Sequence, residues 1–328
     1  MEYLEKLEYN KILEKLASYC HLEASKKEAL ELKPYAEVHE IRKRLEETTE
    51  AVNLIYRCST PPAIEFEENE EEIKIIKTEG ILSLKSIINL TKILKISEIL
   101  KKYINQDFLN LEEYQNLAPI FNELYTNKGI IEKVKNSVID EYTLDDKASK
   151  QLQNIRKKQK NIEQEIRQKL NSMIHSSNYS KFIQENVITI RNERYVIPVK
   201  EEYRSQVKGF IHDVSSSGST VFIEPIAIFE MNNQISNLKI EESIEIEKII
   251  VELSGLFYPY TLEIEEDIAN LKKLDFIFAK ARYSKEIKGN EPKINKNKQI
   301  ILEQARHPLI DYEKAVPISL TLGKDYQM

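Results

Sequence analysis

"ASKQLQNIRKKQKNIEQEIRQKLNSM", residues 148–173, places Leu152, Ile155, Ile162, Ile166, Leu170 and Met173 in steps of three and four, with Gln159 as the one polar interruption. That spacing predicts a helix with a narrow apolar seam, not the wide stripe of a helix lying on a globular core. At 1.5 Å per residue, about 28 residues make a rod of roughly 40 Å. A second seam follows downstream: Met231, Ile235, Leu238, Ile246, Ile249, Leu253 and Leu256. The first rod is basic, whereas residues 230–267 carry ten acids against only Lys239 and Lys248. Matching seams of opposite charge predict an antiparallel pair of helices. Pro259 is expected to kink or end the returning helix.

Between the rods the composition turns to that of strands. "VITIRNERYVIPVK" (187–200) alternates β-branched and polar residues, and "KGFIHDV" and "STVFIEP" follow with turn residues between them. The segment 187–224 therefore reads as a small β element at the end of a helical stalk, with no hydrophobic core of its own to explain its charges. "SSSGST" (215–220) lacks the lysine of a phosphate loop and leads into a strand. A nucleophilic serine would need flanking glycines and a properly placed histidine and acid, and His212 and Asp213, as strand neighbours, point to opposite faces. The segment is expected to be a turn whose hydroxyls satisfy local backbone groups, with Gly218 supplying a positive φ.

On either side the chain reads as helices. "LEYNKILEKLASYCHLEASKKEALELKP" (7–34) keeps a helical period up to Pro34, and "EVHEIRKRLEETTEAVNLIYRC" (37–58) repeats it before breaking at "STPP". The acidic run "EFEENEEE" (65–72) reads as a solvated connector, and Ser83 as the N-cap of the next helix. The composition, 41% hydrophobic and 31% charged with 7 Gly in 328 residues, favours long helices over a sandwich or barrel. No apolar stretch reaches the roughly 20 residues that span a bilayer. "MEYLEKLEYN" lacks the apolar centre of a signal peptide. With only Cys20 and Cys58, a reducing, cytoplasmic setting is expected. The five histidines and two cysteines show no metal-ligand spacing, so no metal is expected.

The net charge is −6, yet residues 147–212 hold 14 Lys/Arg against 6 Asp/Glu, a local +8 that leaves −14 for the remainder. Basic clustering on an acidic chain is the footprint of nucleic-acid contact, or else simply a solvated helix face.

"RNERYVIPVKEEYRSQVKGFIHDVSSSGSTVFIEP", "LKKLDFIFAKARYS" and "ARHPLIDYEKAVPISLTLG" resemble the MutS-type ATPases, and more closely their bacterial "MutS-two" branch, over nearly the whole chain. The resemblance implies a mainly α fold: a helical core and lever bundle with a long antiparallel coiled-coil clamp arm tipped by a small β element. It implies a first core/lever part at 1–144, the clamp arm at 145–257, a returning core/lever helix at 258–290, and the opening of an ATPase domain at 291–328. In the family a glycine-rich phosphate loop follows, and this sequence stops at "LGKDYQM" before one. Neither ATP hydrolysis nor Smr-type cleavage is therefore expected of the chain itself. ATP, magnesium and a homodimer are implied only for a full-length parent. The implied partner is branched or duplex DNA, in restraint of recombination, or ribosomal RNA of collided ribosomes. The competing reading is a dimerisation scaffold whose tip binds nothing. The residues expected to touch nucleic acid are Arg191, Arg194, Lys200, Arg204, Lys208, Ser216, Ser217 and Gly218, with Glu193, Glu201 and Glu202 expected to pair with about half of the bases. Two matches to the mismatch-reading Phe-x-Glu pattern, Phe66 to Glu68 and Phe222 to Glu224, are expected to be chance.

Overall fold

A computed structural model describes residues 6–59 and 61–323. The first residues of "MEYLEKLEYN", Thr60 of the "STPP" break and the last five residues of "LGKDYQM" lie outside the described residues. The fold is mainly α, 57% helical, and the chain divides into two compact units, residues 133–254 and the remainder on either side.

In the flanking unit the helices are α1 (Tyr9–Ala17), α2 (Glu23–Leu30), α3 (Val38–Cys58), α4 (Glu70–Lys77), α5 (Leu84–Ile104) and α6 (Leu117–Glu123). The period running to Pro34 thus breaks into two helices. The cause lies far away in sequence: the Asp275 carboxylate accepts from the backbone N–H groups of His21 and Leu22, at 3.0 Å each to Oδ2, and from the His21 ring. That carboxylate satisfies orphan donors at the start of α2, where Leu22 has no side chain able to do so. Ser83 caps α5 as the sequence predicts, accepting from the Ser86 N–H at 3.0 Å. The acidic run is a largely exposed connector only up to Asn69, and its last three glutamates open a helix. Asn69 caps α4, and Glu72 is buried against the Asn89 amide at 2.8 Å. Three glutamates in the first turn of α4 also suit the positive end of a helix dipole.

The core of this unit gathers around α10 (Thr261–Glu286), which buries residues on every side, among them Ile264, Leu271, Leu274 and Phe278. Phe278 meets Phe121 and Tyr103 edge-on at ring separations of 6.2 Å each. A β-hairpin of β5 (Ile300–Ala305) and β6 (Ile318–Leu322) lies beyond it in sequence.

The other unit holds the second half of α7 (Lys128–Ser137), α8 (Lys150–Ile174), the strands β1 (Thr189–Arg191), β2 (Arg194–Lys200), β3 (Gly209–Val214) and β4 (Thr220–Pro225), and nearly all of α9 (Ile226–Gly255). The two seamed helices run antiparallel. Ser149, the N-cap of α8, and Arg156 on α8 bond Glu245 and Glu242 on α9, and Ile166, Leu170 and Ile174 share a cluster with Ile228, Met231 and Ile235. Gln159, the polar interruption, donates to Glu242 at 2.9 Å. The second seam differs from its expected course at two positions: Leu256 falls past the end of the helix, where Phe257 is buried instead, and Glu245, not Ile246, is buried and receives the Ser149 hydroxyl at 2.6 Å. The contacts over the first part of α8 are therefore partly polar, interleaved with the buried Leu152 and Ile155, and the cluster toward its other end is apolar. α9 ends at Gly255 and Pro259 sits in a 3₁₀ turn before α10.

The sheet order is β1-β2-β4-β3, all antiparallel. Contrary to the sequence reading, this sheet has a core. Tyr195, Ile197, Val199, Val221 and Ile223 pack with Ile166, Leu170, Ile174 and Ile235 into one buried cluster. Alternation along β2 and β4 points these side chains at the helix ends, so the strands and the helices are one folding unit.

Candidate nucleic-acid interface

The turn "SSSGST" closes the β3–β4 hairpin. The Gly218 N–H donates to the Ser215 carbonyl at 2.8 Å and the Ser215 hydroxyl accepts from the Thr220 N–H at 3.0 Å. Gly218 has φ 73°, and a Cβ there would meet nothing within 4 Å, so backbone conformation alone selects glycine. Ser216 and Ser217 are exposed, and the Ser217 hydroxyl lies 2.8 Å from that of Ser219. The opposite hairpin turns through Asn192 and Glu193, both at positive φ (48° and 62°), the backbone of a two-residue loop that matches strand twist.

Each expected base has a distinct setting. Arg191 pairs with Asp213 at 3.0 Å and lies over the Phe222 ring at 4.3 Å, both ion-pair partners being partly exposed. Arg204 holds Glu201 at 3.1 Å with its side chain 60% exposed. Lys200 reaches the Lys181 carbonyl at 3.4 Å. Lys208 is exposed and has no ion pair among the described residues. Surface pairs of this kind are worth only about 0–1 kcal/mol, so Arg191 and Arg204 remain recruitable by a polyanion.

Arg194 is different. Its guanidinium donates to Glu224 Oε1 at 2.6 Å and to Asn233, and lies over the Phe229 ring at 5.4 Å. Glu224 is fully buried, and it also takes the Asn232 amide at 2.7 Å and the His212 ring at 2.6 Å. Asn232 in turn bridges the backbone of Tyr195. This is an interior polar cluster tying β2, β3 and β4 to α9, and Arg194 is committed to it. Of the acids expected to pair with the bases only Glu201 does so, while Glu193 takes Lys239 on α9 at 3.0 Å. The partners Asp213 and Glu224 were missed because cross-strand register, not proximity in sequence, brings them in.

Both Phe-x-Glu matches are structural. Glu224 is buried as above, and Glu68 is held by the Ala24 N–H at 2.8 Å and by Lys272 at 3.0 Å. Among the described residues no cluster of His, Cys, Asp or Glu is arranged to hold a metal ion, and no helix is long and apolar enough to cross a membrane.

Known proteins extend this picture. The chain is 38% identical over 323 residues to Endonuclease MutS2 of Acetivibrio thermocellus, covering 98% of this chain and 41% of that protein. Endonuclease MutS2 of Finegoldia magna is likewise 38% identical and that of Clostridium acetobutylicum 37%, with the same coverage. The chain is a relative of the MutS2 proteins. It spans about two-fifths of the length of these curated relatives, consistent with the N-terminal part of a MutS2 protein. No family model matches it.

Proposed function

We propose that this chain is the nucleic-acid-gripping clamp and lever portion of a MutS2-type ATPase. Its sheet and turns, through Arg191, Lys200, Arg204, Lys208 and the Ser216–Ser217–Gly218 turn, contact a phosphate backbone. The observation that carries this reading is the +8 excess over residues 147–212 of an otherwise acidic chain, in a relative of proteins named endonucleases. Phosphate contacts supply affinity without sequence information, so the substrate of the whole protein is branched or duplex DNA, ribosomal RNA on collided ribosomes, or both. ATP and magnesium, a homodimeric state, cytoplasmic location and any cleavage belong to the parent in this reading, and the chain itself is a binding part. Arg194 is left out of the phosphate-contacting set because Glu224 already holds it.

The test is a salt titration. Changing Arg191, Lys200, Arg204 and Lys208 together to Ala should weaken binding to duplex DNA and structured RNA of any sequence. It should also reduce the log–log salt slope by about 0.9 for every duplex phosphate the variant no longer neutralises. Changing Lys157, Lys158 and Lys160 on α8 should matter less. Unchanged affinity and slope in the first variant would leave the scaffold reading in place.

A further inference from the structure

β3 lies at the edge of its sheet and pairs only with β4. Along it Phe210, Ile211 and Val214 stand half exposed, at 50%, 51% and 49%. Sheet edges are ordinarily blunted with charge, so three large apolar side chains on a six-residue edge strand call for an occupant. A strand from another protein does not fit well. The ladder is bulged between Ile211 and Asp213, and the Asn192 amide already occupies the His212 carbonyl at 2.9 Å.

Phe210 is held as a platform. Its ring lies 4.9 Å from that of Phe229 at an interplanar angle of 35°. Phe229 lies under the Arg194 guanidinium, which Glu224 anchors. The ring is thus backed by a second, tilted ring that leads to the buried cluster, and Phe210 is half exposed. Lys208, exposed and one residue before β3, accepts from the Ile226 N–H at 3.2 Å, which carries the ladder on to it and, by the two-residue repeat, sets it on the side of Phe210. An open aromatic ring beside a lysine with no ion pair among the described residues, in a segment of positive excess, matches a polyanion that presents planar bases.

We propose that Phe210 stacks on an unpaired base while Lys208 holds a neighbouring phosphate, so that this sheet edge selects unpaired nucleotides over continuous duplex. The inference rests on the nucleic-acid reading above and adds the substrate class. Bases inside a duplex hide their faces in their own stack, so only flipped, looped or single-stranded nucleotides offer one to Phe210. Stacking is indifferent to the sugar and to base identity, so single-stranded DNA and RNA are both accepted.

The chain has no tryptophan, so Phe210→Trp introduces a sole indole as reporter. The full chain carrying it is titrated with oligothymidylate, oligouridylate and a blunt duplex of equal length. Saturable quenching by both single strands and none by the duplex is expected. Phe210→Ala should weaken single-strand binding roughly ten- to hundredfold and leave duplex binding unchanged, while Phe210→Tyr should retain both. Circular dichroism checks that the half-exposed position has not cost the fold. Unaltered indole emission at saturating single strand overturns the proposal, as does equal loss of strand and duplex binding in Phe210→Ala. If the four-base variant loses both ligands and Phe210→Ala loses neither, the clamp reading stands and stacking fails. If the unaltered chain binds no nucleic acid, the underlying reading fails instead. Self-association that disappears in Phe210→Ala would assign the edge to a second copy of the chain and overturn the proposal.

Discussion

Arg194→Ala separates a structural arginine from a ligand-binding one. Its guanidinium donates at 2.6 Å to a carboxylate, Glu224, that is fully buried, and the Arg194 side chain is itself only 21% exposed. Removing one partner of a buried pair typically costs about 3–5 kcal/mol, because the remaining charge stays uncompensated. Residual exposure, and the bonds that Asn232 and His212 keep to Glu224, place this case at the lower end, about 3 kcal/mol. At about 1.4 kcal/mol per factor of ten, amide protection in β2 and β4 should fall roughly a hundredfold. Hydrogen exchange followed by mass spectrometry is the assay, since the chain has two units and a single melting midpoint would blend them. Protection in α5 and α10, which belong to the other unit, should be unchanged. Adding Glu224→Gln should recover part of the loss, because a neutral amide no longer needs a counter-charge. Protection within about threefold of the parent, together with weakened nucleic-acid binding, would refute this reasoning and return Arg194 to the contact surface.

The two glycines of the β3–β4 hairpin should behave differently. Gly218→Ala meets open space and should cost about 1 kcal/mol for its positive φ. Gly209→Ala would set a Cβ 2.2 Å from the Glu224 carbonyl oxygen, a backbone atom, and should cost several times more by the same exchange assay. Asp267, buried beside Ser97 and the Tyr125 N–H, has its carboxyl pushed up from 3.8 to about 7, chiefly by burial. A raised carboxyl stabilises the fold fully below about pH 4 and loses that contribution as pH rises through about 7. Asp267→Asn should therefore flatten stability across that window and raise it above pH 7, by at most about 4 kcal/mol, as followed by denaturant titration. A pH profile identical to the parent's would count against it. Ile249→Asp puts a charge at a buried position of α9 and should unfold that unit while the helices of the other keep their circular dichroism. Loss of all helicity would mean the two units do not fold separately.

Periodicity was enough to find α8, α9 and their antiparallel pairing, because a seam is a property of spacing and opposite charge reinforces it. The β3–β4 turn was equally legible, since a positive φ at Gly218 and hydroxyls bonding nearby backbone are local effects. The break between α1 and α2 was not, as its cap comes from Asp275 on α10, some 254 residues from His21. Nor could spacing choose Glu245 over Ile246 for the interior of α9, because Ser149, the cap of the facing helix, decides it. At the sheet, the sequence counted bases but could not see burial. Arg194 and Lys208 look alike as letters, yet the pairing of β2 with β4 places a buried carboxylate against one of them and leaves the other in solvent. Composition and spacing determined which segments fold and where positive charge gathers. Tertiary structure decided which of those charges are already neutralised inside the protein, because desolvation and partner geometry exist only once distant strands and helices have met.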